Sequence, residues 1–154
     1  MKIIKIFIVL ILLAAPVMAE KNRDVVTIGE FDSTLQGFSF TSGGIVKVDE
    51  EAESLPIKID FIFDLPNGLG MNNSALDSWF PGEGMVQDLG NIPLEKNVDF
   101  IDDDFAPYLI PDEIIAGHTY LMKLAGSDKY GRIKIIDFDE DNSRLTFKWV
   151  YLDE

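Results

Sequence analysis

Apolar and polar residues alternate with a period of two over several stretches of this chain, and no stretch repeats apolar residues at helical spacing for any length. The clearest alternation runs from Ile57 to Asp64. Ile57, Ile59, Phe61 and Phe63 define one face there, and Lys58, Asp60, Ile62 and Asp64 the other. Arg144 to Tyr151 repeats the pattern, with Leu145, Phe147, Trp149 and Tyr151 opposed to Arg144, Thr146, Lys148 and Val150. Tyr130 to Phe138 is a strand whose alternation slips at Ile135 and Ile136, and a β-bulge there restores the register. His118 to Leu124 is a further strand. The links 125–129 and 139–143 are rich in Gly, Ser, Asp and Asn, so these three strands form an antiparallel meander. Upstream, Gly37 to Thr41 and Ile45 to Val48 flank Ser42-Gly43-Gly44 as a hairpin.

Between about Leu65 and Gly117 the pattern breaks up. This irregular central segment is dense in Gly, Pro, Asn and Asp, and only Asp112 to Ala116 suggests a single helical turn. Its length requires short strands or a lid over a sheet. The fold expected is all-β, a single antiparallel β-sandwich-like domain over residues 20–154 that ends in the three-stranded meander.

Residues 1–19, MKIIKIFIVLILLAAPVMA, follow a different logic. Lys2 and Lys5 precede a short apolar run, and Pro16 and Val17-Met18-Ala19 close it, which reads as a secretory signal peptide. Cleavage after Ala19 leaves no membrane anchor and sends the domain to the periplasm or the extracellular space.

Composition narrows the chemistry. The chain has 154 residues, 13 Lys and Arg, 27 Asp and Glu, one His and no Cys, for a formal charge of -14. Without Cys there is no disulfide scaffold, thiolate metal site, thiol nucleophile or lipid-bearing Cys. A lone His rules out any site that needs two imidazoles. Strong acidity opposes binding to nucleic acid or to an anionic membrane. The 47% hydrophobic and 11% aromatic content is that of a folded chain.

The charges are segregated. From Ile59 to Met122 twelve acids face only Lys96, whereas Lys123, Arg132, Lys134, Arg144 and Lys148 gather in the meander, mostly at the polar positions of its alternation. Those five cations are expected to share one sheet face. Like charges on adjacent strands repel, so something acidic should cover that face. Salt bridges from the acidic centre are the ordinary reading, and an external anionic ligand is the alternative.

Other candidates are thinner. Asp137, Asp139 and Asp141 open with EF-hand spacing, but Asn142 stands where Gly is required and Lys148 where the bidentate Glu belongs, so a solvated hairpin tip is expected. Asp99 with Asp102, Asp103 and Asp104 is a weak calcium candidate, because consecutive carboxylates diverge. Asp49-Glu50-Glu51 with Glu53 is another. Trp79 and Phe80 lie in a loop context, where they either plug an edge or stack on a sugar or an apolar partner. His118 stands at the start of a strand as a packed or edge residue. No G-x-S-x-G elbow, P-loop or H-E-x-x-H occurs, and no catalytic set emerges.

Two segments resemble a known layout. Gly37-Phe38-Ser39-Phe40-Thr41-Ser42-Gly43-Gly44-Ile45-Val46, with Ile59-Asp60-Phe61-Ile62-Phe63 after the acidic stretch, is similar to the opening of HmuY-type haem-binding proteins and related secreted β-domains. Gly117 to Leu124, Asp128 to Ile135 and Leu145 to Tyr151 resemble their closing meander. The resemblance implies an all-β domain that binds rather than transforms. In its haem-binding members the iron ligands are His or Met residues of the central region, where this chain offers only Met71 and Met85 as sulfur ligands. The function expected is an exported, non-enzymatic module for ligand binding or protein interaction. A haem or metal-ion carrier and a carboxylate-dependent hydrolase are the alternatives.

Overall fold

A computed structural model describes residues 24–31, 34–48, 53–54, 56, 58–65, 67–74, 76, 82–96, 98 and 104–152. The expected leader lies outside the described residues. Ten strands occur among those described: β1 Val25–Phe31, β2 Thr34–Ser39, β3 Gly44–Lys47, β4 Phe61–Asp64, β5 Gly68–Met71, β6 Met85–Asp88, β7 Tyr108–Leu109, β8 Thr119–Lys123, β9 Tyr130–Asp139 and β10 Arg144–Leu152. All pairings are antiparallel. They form two five-stranded layers, β6-β8-β9-β10-β1 (the meander sheet) and β3-β2-β4-β5-β7 (the hairpin sheet), which face each other as a β-sandwich.

The meander forms as the alternation requires. Thr146 pairs with Asp137 but Phe147 pairs with Ile135, so Ile136 is the extra, bulged residue. The bulge keeps Ile135 in the core and turns Ile136 to solvent, with 1% and 44% of their surfaces exposed. The expected β2–β3 hairpin is also present, from Gln36↔Lys47 to Ser39↔Gly44.

Strand β1, which the sequence pattern did not single out, joins the two layers. Val25 to Gly29 pair with β10, then Glu30 and Phe31 pair with β2. The switch falls at Gly29, whose φ is +152° and where a Cβ would collide with the Ser143 carbonyl oxygen. The opposite side is stitched too. Ala106 exchanges both backbone hydrogen bonds with Val86 of β6, at 2.7 and 2.8 Å, and β7 just beyond it pairs with β5. The central segment therefore supplies three short strands and one of the two seams.

The strand expected over Ile57 to Asp64 is shorter than its alternation suggests. Only Phe61–Asp64 is strand, and Ile57 lies outside the described residues. Asp60 interrupts the period: its N–H donates to the Phe38 carbonyl at 2.9 Å, and its carboxylate accepts the Phe40 N–H at 2.7 Å. Ile59 consequently packs with Val48 and Ile62 in a small outer cluster, while Phe61 and Phe63 enter the main core. The helical turn expected at 112–116 lies at Pro111–Glu113 instead, because Pro111 supplies the preset φ of a helix start. The Glu113 carboxylate accepts the Ile110 N–H at 3.1 Å and closes the turn.

Between the layers, Phe38 meets Phe40, Phe147 and Trp149 edge-on, each with ring centroids 5.3 Å apart. Such pairs contribute about 0.5–1.5 kcal/mol each beyond the area they bury. Phe40 lies against the bare backbone of Gly131, a position where any Cβ would strike its ring. The strand aromatics form a filled core.

Candidate functional site

The outer face of the meander sheet carries the unusual chemistry. Alternation turns Leu145, Phe147, Trp149, Ile133, Ile135, Tyr120 and Met122 inward. Their neighbours Lys148, Arg132, Lys134, Thr119 and Leu121 therefore point outward. Residues 89–96 cross this face as a strap. Its root continues the ladder, since Leu89 N donates to Thr119 O and Thr119 N donates to Gly90 O, both at 2.9 Å.

The strap meets the cations with backbone, not with carboxylates. Arg132 Nη1 donates to Lys96 O at 2.6 Å and to Leu94 O at 3.3 Å. Lys134 Nζ donates to Ile92 O at 2.8 Å and to Asn91 Oδ1 at 3.3 Å, and Thr119 Oγ1 donates to Ile92 O at 2.7 Å. This corrects the expectation that salt bridges from the acidic centre cover the basic face. Carbonyl oxygens carry partial negative charge wherever the chain turns them, so an extended strap covers Arg132 and Lys134 without an ion pair to either.

The compensation is incomplete. Among the described residues no carboxylate lies within ion-pair distance of Arg132, Lys134 or Lys148. Arg132 is 6% exposed, its Nε has no hydrogen-bond partner, and burial pulls its guanidinium below the usual range. Lys148 stands directly opposite Lys134 across the β9–β10 ladder. Between the strap and these lysines runs a groove of about 420 Å³, lined by Asn91, Ile92, Pro93, Leu94, Glu95, Lys134 and Lys148.

The two remaining cations lie elsewhere on the sheet. Lys123 pairs with Met85 and Tyr130 and borders a second hollow of about 270 Å³ with Glu83 and Asp128. Arg144 opens β10 opposite Asp139, at the hairpin end. Asp139 accepts the side-chain and backbone N–H groups of Asn142, at 2.7 and 3.1 Å. Those bonds, with a smaller contribution from the Arg144 charge, hold its carboxyl below the usual range. The Asp137-Asp139-Asp141 run thus occupies a hairpin tip.

Met71 is wholly buried in the core, whereas Met85 precedes core-facing Val86 in β6 and points to the outer face. The two sulfurs do not converge on a common metal. Asp104 is exposed and accepts Gln87 Nε2 at 3.4 Å. Asp99, Asp102, Asp103, Trp79, Phe80 and Asp49-Glu50-Glu51 lie outside the described residues. Among those described, no three His, Asp or Glu side chains gather as a metal cage.

His118 is engaged at the strap root. Its Nδ1 lies 2.9 Å from Asp88 Oδ2, and Asp88 Oδ1 also accepts the Gly90 N–H at 2.7 Å. The nearest hydroxyls are in use as well. Thr119 serves the strap, and Tyr120 donates to Glu113 O at 2.8 Å while accepting the Ile115 N–H at 2.9 Å. Burial pushes the Tyr120 phenol up to about 12, so it stays protonated as a structural donor.

One buried acid stands apart from this face. Asp60 is 5% exposed, and burial pushes its carboxyl up to about 6, although the Phe40 N–H partly opposes the rise. Beside it, wholly buried Asn72 donates to Ile59 O and accepts the Gly82 N–H, both at 2.9 Å, tying neighbouring loops to the hairpin sheet.

The groove was legible in the sequence only as a basic stripe. Its other wall, Asn91 to Glu95, has no periodicity or motif, and no sequence signal marks it. No protein-family model matches the chain, and no curated protein is similar to it in sequence.

Proposed function

We propose that this protein is an exported, non-enzymatic β-sandwich module that binds a ligand or partner in the strap groove. The carrying observation is the groove itself, floored by two cross-strand lysines that lack carboxylate partners among the described residues. The engagement of His118, Thr119 and Tyr120 in structural hydrogen bonds favours binding over catalysis. Export rests on the leader at residues 1–19. The HmuY-like layout supports a secreted binding scaffold at the level of the fold and brings no haem ligand with it.

Two measurements test this reading. Expression of the full chain in a Gram-negative host, followed by fractionation and mass spectrometry, should return a protein beginning at Glu20 outside the cytoplasm; an intact Met1 in the cytoplasm overturns export. Incubation of the mature protein with mixed sugars, peptides and organic acids should shift the backbone amide resonances of Ile92, Leu94 and Glu95 and leave every compound chemically unchanged. Turnover of any of them makes it an enzyme.

A further inference from the structure

We infer that the strap groove is a site for the oxyanion head, carboxylate or phosphate, of a small organic ligand. This inference rests on the binding-module reading and adds the chemical class. Three observations carry it.

Lys134 and Lys148 face each other directly across β9 and β10, the arrangement in which like charges repel most on a sheet. In a chain with 27 acids, a carboxylate at either place would have relieved the strain. Arg132, two residues along the same face of β9, lies under the strap rather than in the groove wall and adds a buried positive charge beside the lysines, with its Nε unmatched. Buried polar atoms without partners are uncommon, and a cationic one marks a place where negative charge is favoured.

The donors are available. Among the described residues Lys148 makes no hydrogen bond or ion pair, and Lys134 spends two of its three N–H groups on Ile92 and Asn91. The Asn91 amide nitrogen is uncommitted on the same wall.

The walls define the rest of the ligand. Ile92, Pro93 and Leu94 offer apolar surface, and about 420 Å³ is within the range of small-molecule sites. Glu95 lines the same groove and works against a polyanion, so a single oxyanion on an apolar body fits best.

Amide chemical-shift titration of the mature protein, with ionic strength fixed by sodium chloride, tests the assignment using benzoate, phenyl phosphate, inorganic phosphate and neutral benzyl alcohol. Saturable shifts at residues 91, 92, 94, 95 and 148 with benzoate or phenyl phosphate are expected, together with a Tm rise of about 10 °C at roughly 100 times Kd. The two organic anions show which oxyanion is preferred, and inorganic phosphate shows how much of the affinity the head alone supplies. Lys148→Glu should weaken binding at least tenfold while raising the unliganded Tm by about 1–3 °C, because it replaces a repelling pair by an attracting one. Lys148→Gln should weaken binding with little change in Tm, which separates lost contact from lost folding. No saturable shift with any anion, equal response to benzyl alcohol, or undiminished binding by both variants overturns the inference. Binding of benzyl alcohol alone refutes the anion class yet leaves the binding module standing, whereas turnover of a probe refutes the module.

Discussion

The two outer faces of the sandwich are covered in opposite ways. Over the hairpin sheet, Val48, Ile59 and Ile62 pack with Leu35, Val46 and Leu76 in an apolar cap that needs no specific partners. Over the meander sheet, an extended strap is held by Thr119, Arg132 and Lys134 donating to its carbonyls. An apolar cap stabilises in proportion to the area it removes from water. A polar cover returns little net free energy, because each bond replaces one to water, and it leaves charge uncompensated wherever the match is imperfect. The difference teaches that the hairpin face is built for stability, and that the meander face gives up some stability to keep cations available.

That contrast is breakable at its strong end first. Ile59 is wholly buried and lies against the bare backbone of Gly37, so Ile59→Ala should destabilise the fold by about 2–5 kcal/mol in urea unfolding. A loss below about 1 kcal/mol would show that the apolar cap is not what holds that face.

The second prediction concerns Asp60, the buried acid on the hairpin side. The Asp60 carboxyl titrates near 6 in the fold against 3.8 when unperturbed, so the native state binds the proton more tightly than the unfolded chain. The contribution of this carboxyl to stability is therefore fully present below about pH 4, is lost as pH rises towards 6, and stays lost above that. That difference corresponds to about 3 kcal/mol at neutral pH. Asp60→Asn keeps an acceptor for the Phe40 N–H, and should raise stability at pH 7 by on the order of 1–3 kcal/mol and flatten the profile between pH 4 and 6. An unchanged slope over that range would locate the titration elsewhere.

The smallest effect belongs to the strap. Thr119→Val removes one bond to Ile92 O while Lys134 still serves that carbonyl, so the expected loss is about 0.5–1 kcal/mol. A loss as large as that of Ile59→Ala would erase the distinction between the two faces.

Much of the fold was legible because alternation is a statement about sheet faces, and where a face is buried the letters must obey it. Leu145, Phe147 and Trp149 obey it, and the slip at Ile135 and Ile136 announced the bulge. Ile59 misled for a physical reason: Asp60 puts its side chain where a backbone acceptor would stand, and the period skips there without any change in the letters. Strand β1 went unread because Gly29 divides its short run between two sheets. The site was half legible. The cations are residues and can be counted, but apart from Asn91 Oδ1 the oxygens that answer them belong to the backbone of 92–96, and every residue has a carbonyl.

The seam at β1 also governs how this molecule comes into being. Thr27 and Thr146 share a hydrogen bond across 119 residues of sequence, and the strand that joins the layers finds its partner in β10. The meander sheet is not complete, and β1 has no partner in it, until β10 is available. A chain still being synthesised lacks β10 and so leaves β1 and β9 each with an unpaired edge, and pairing strands so distant in sequence is the kind of contact that slows folding. The tie between β1 and β10 works as a clasp: the meander layer stays open until the last strand arrives, which then fastens it, through β1, to the hairpin layer.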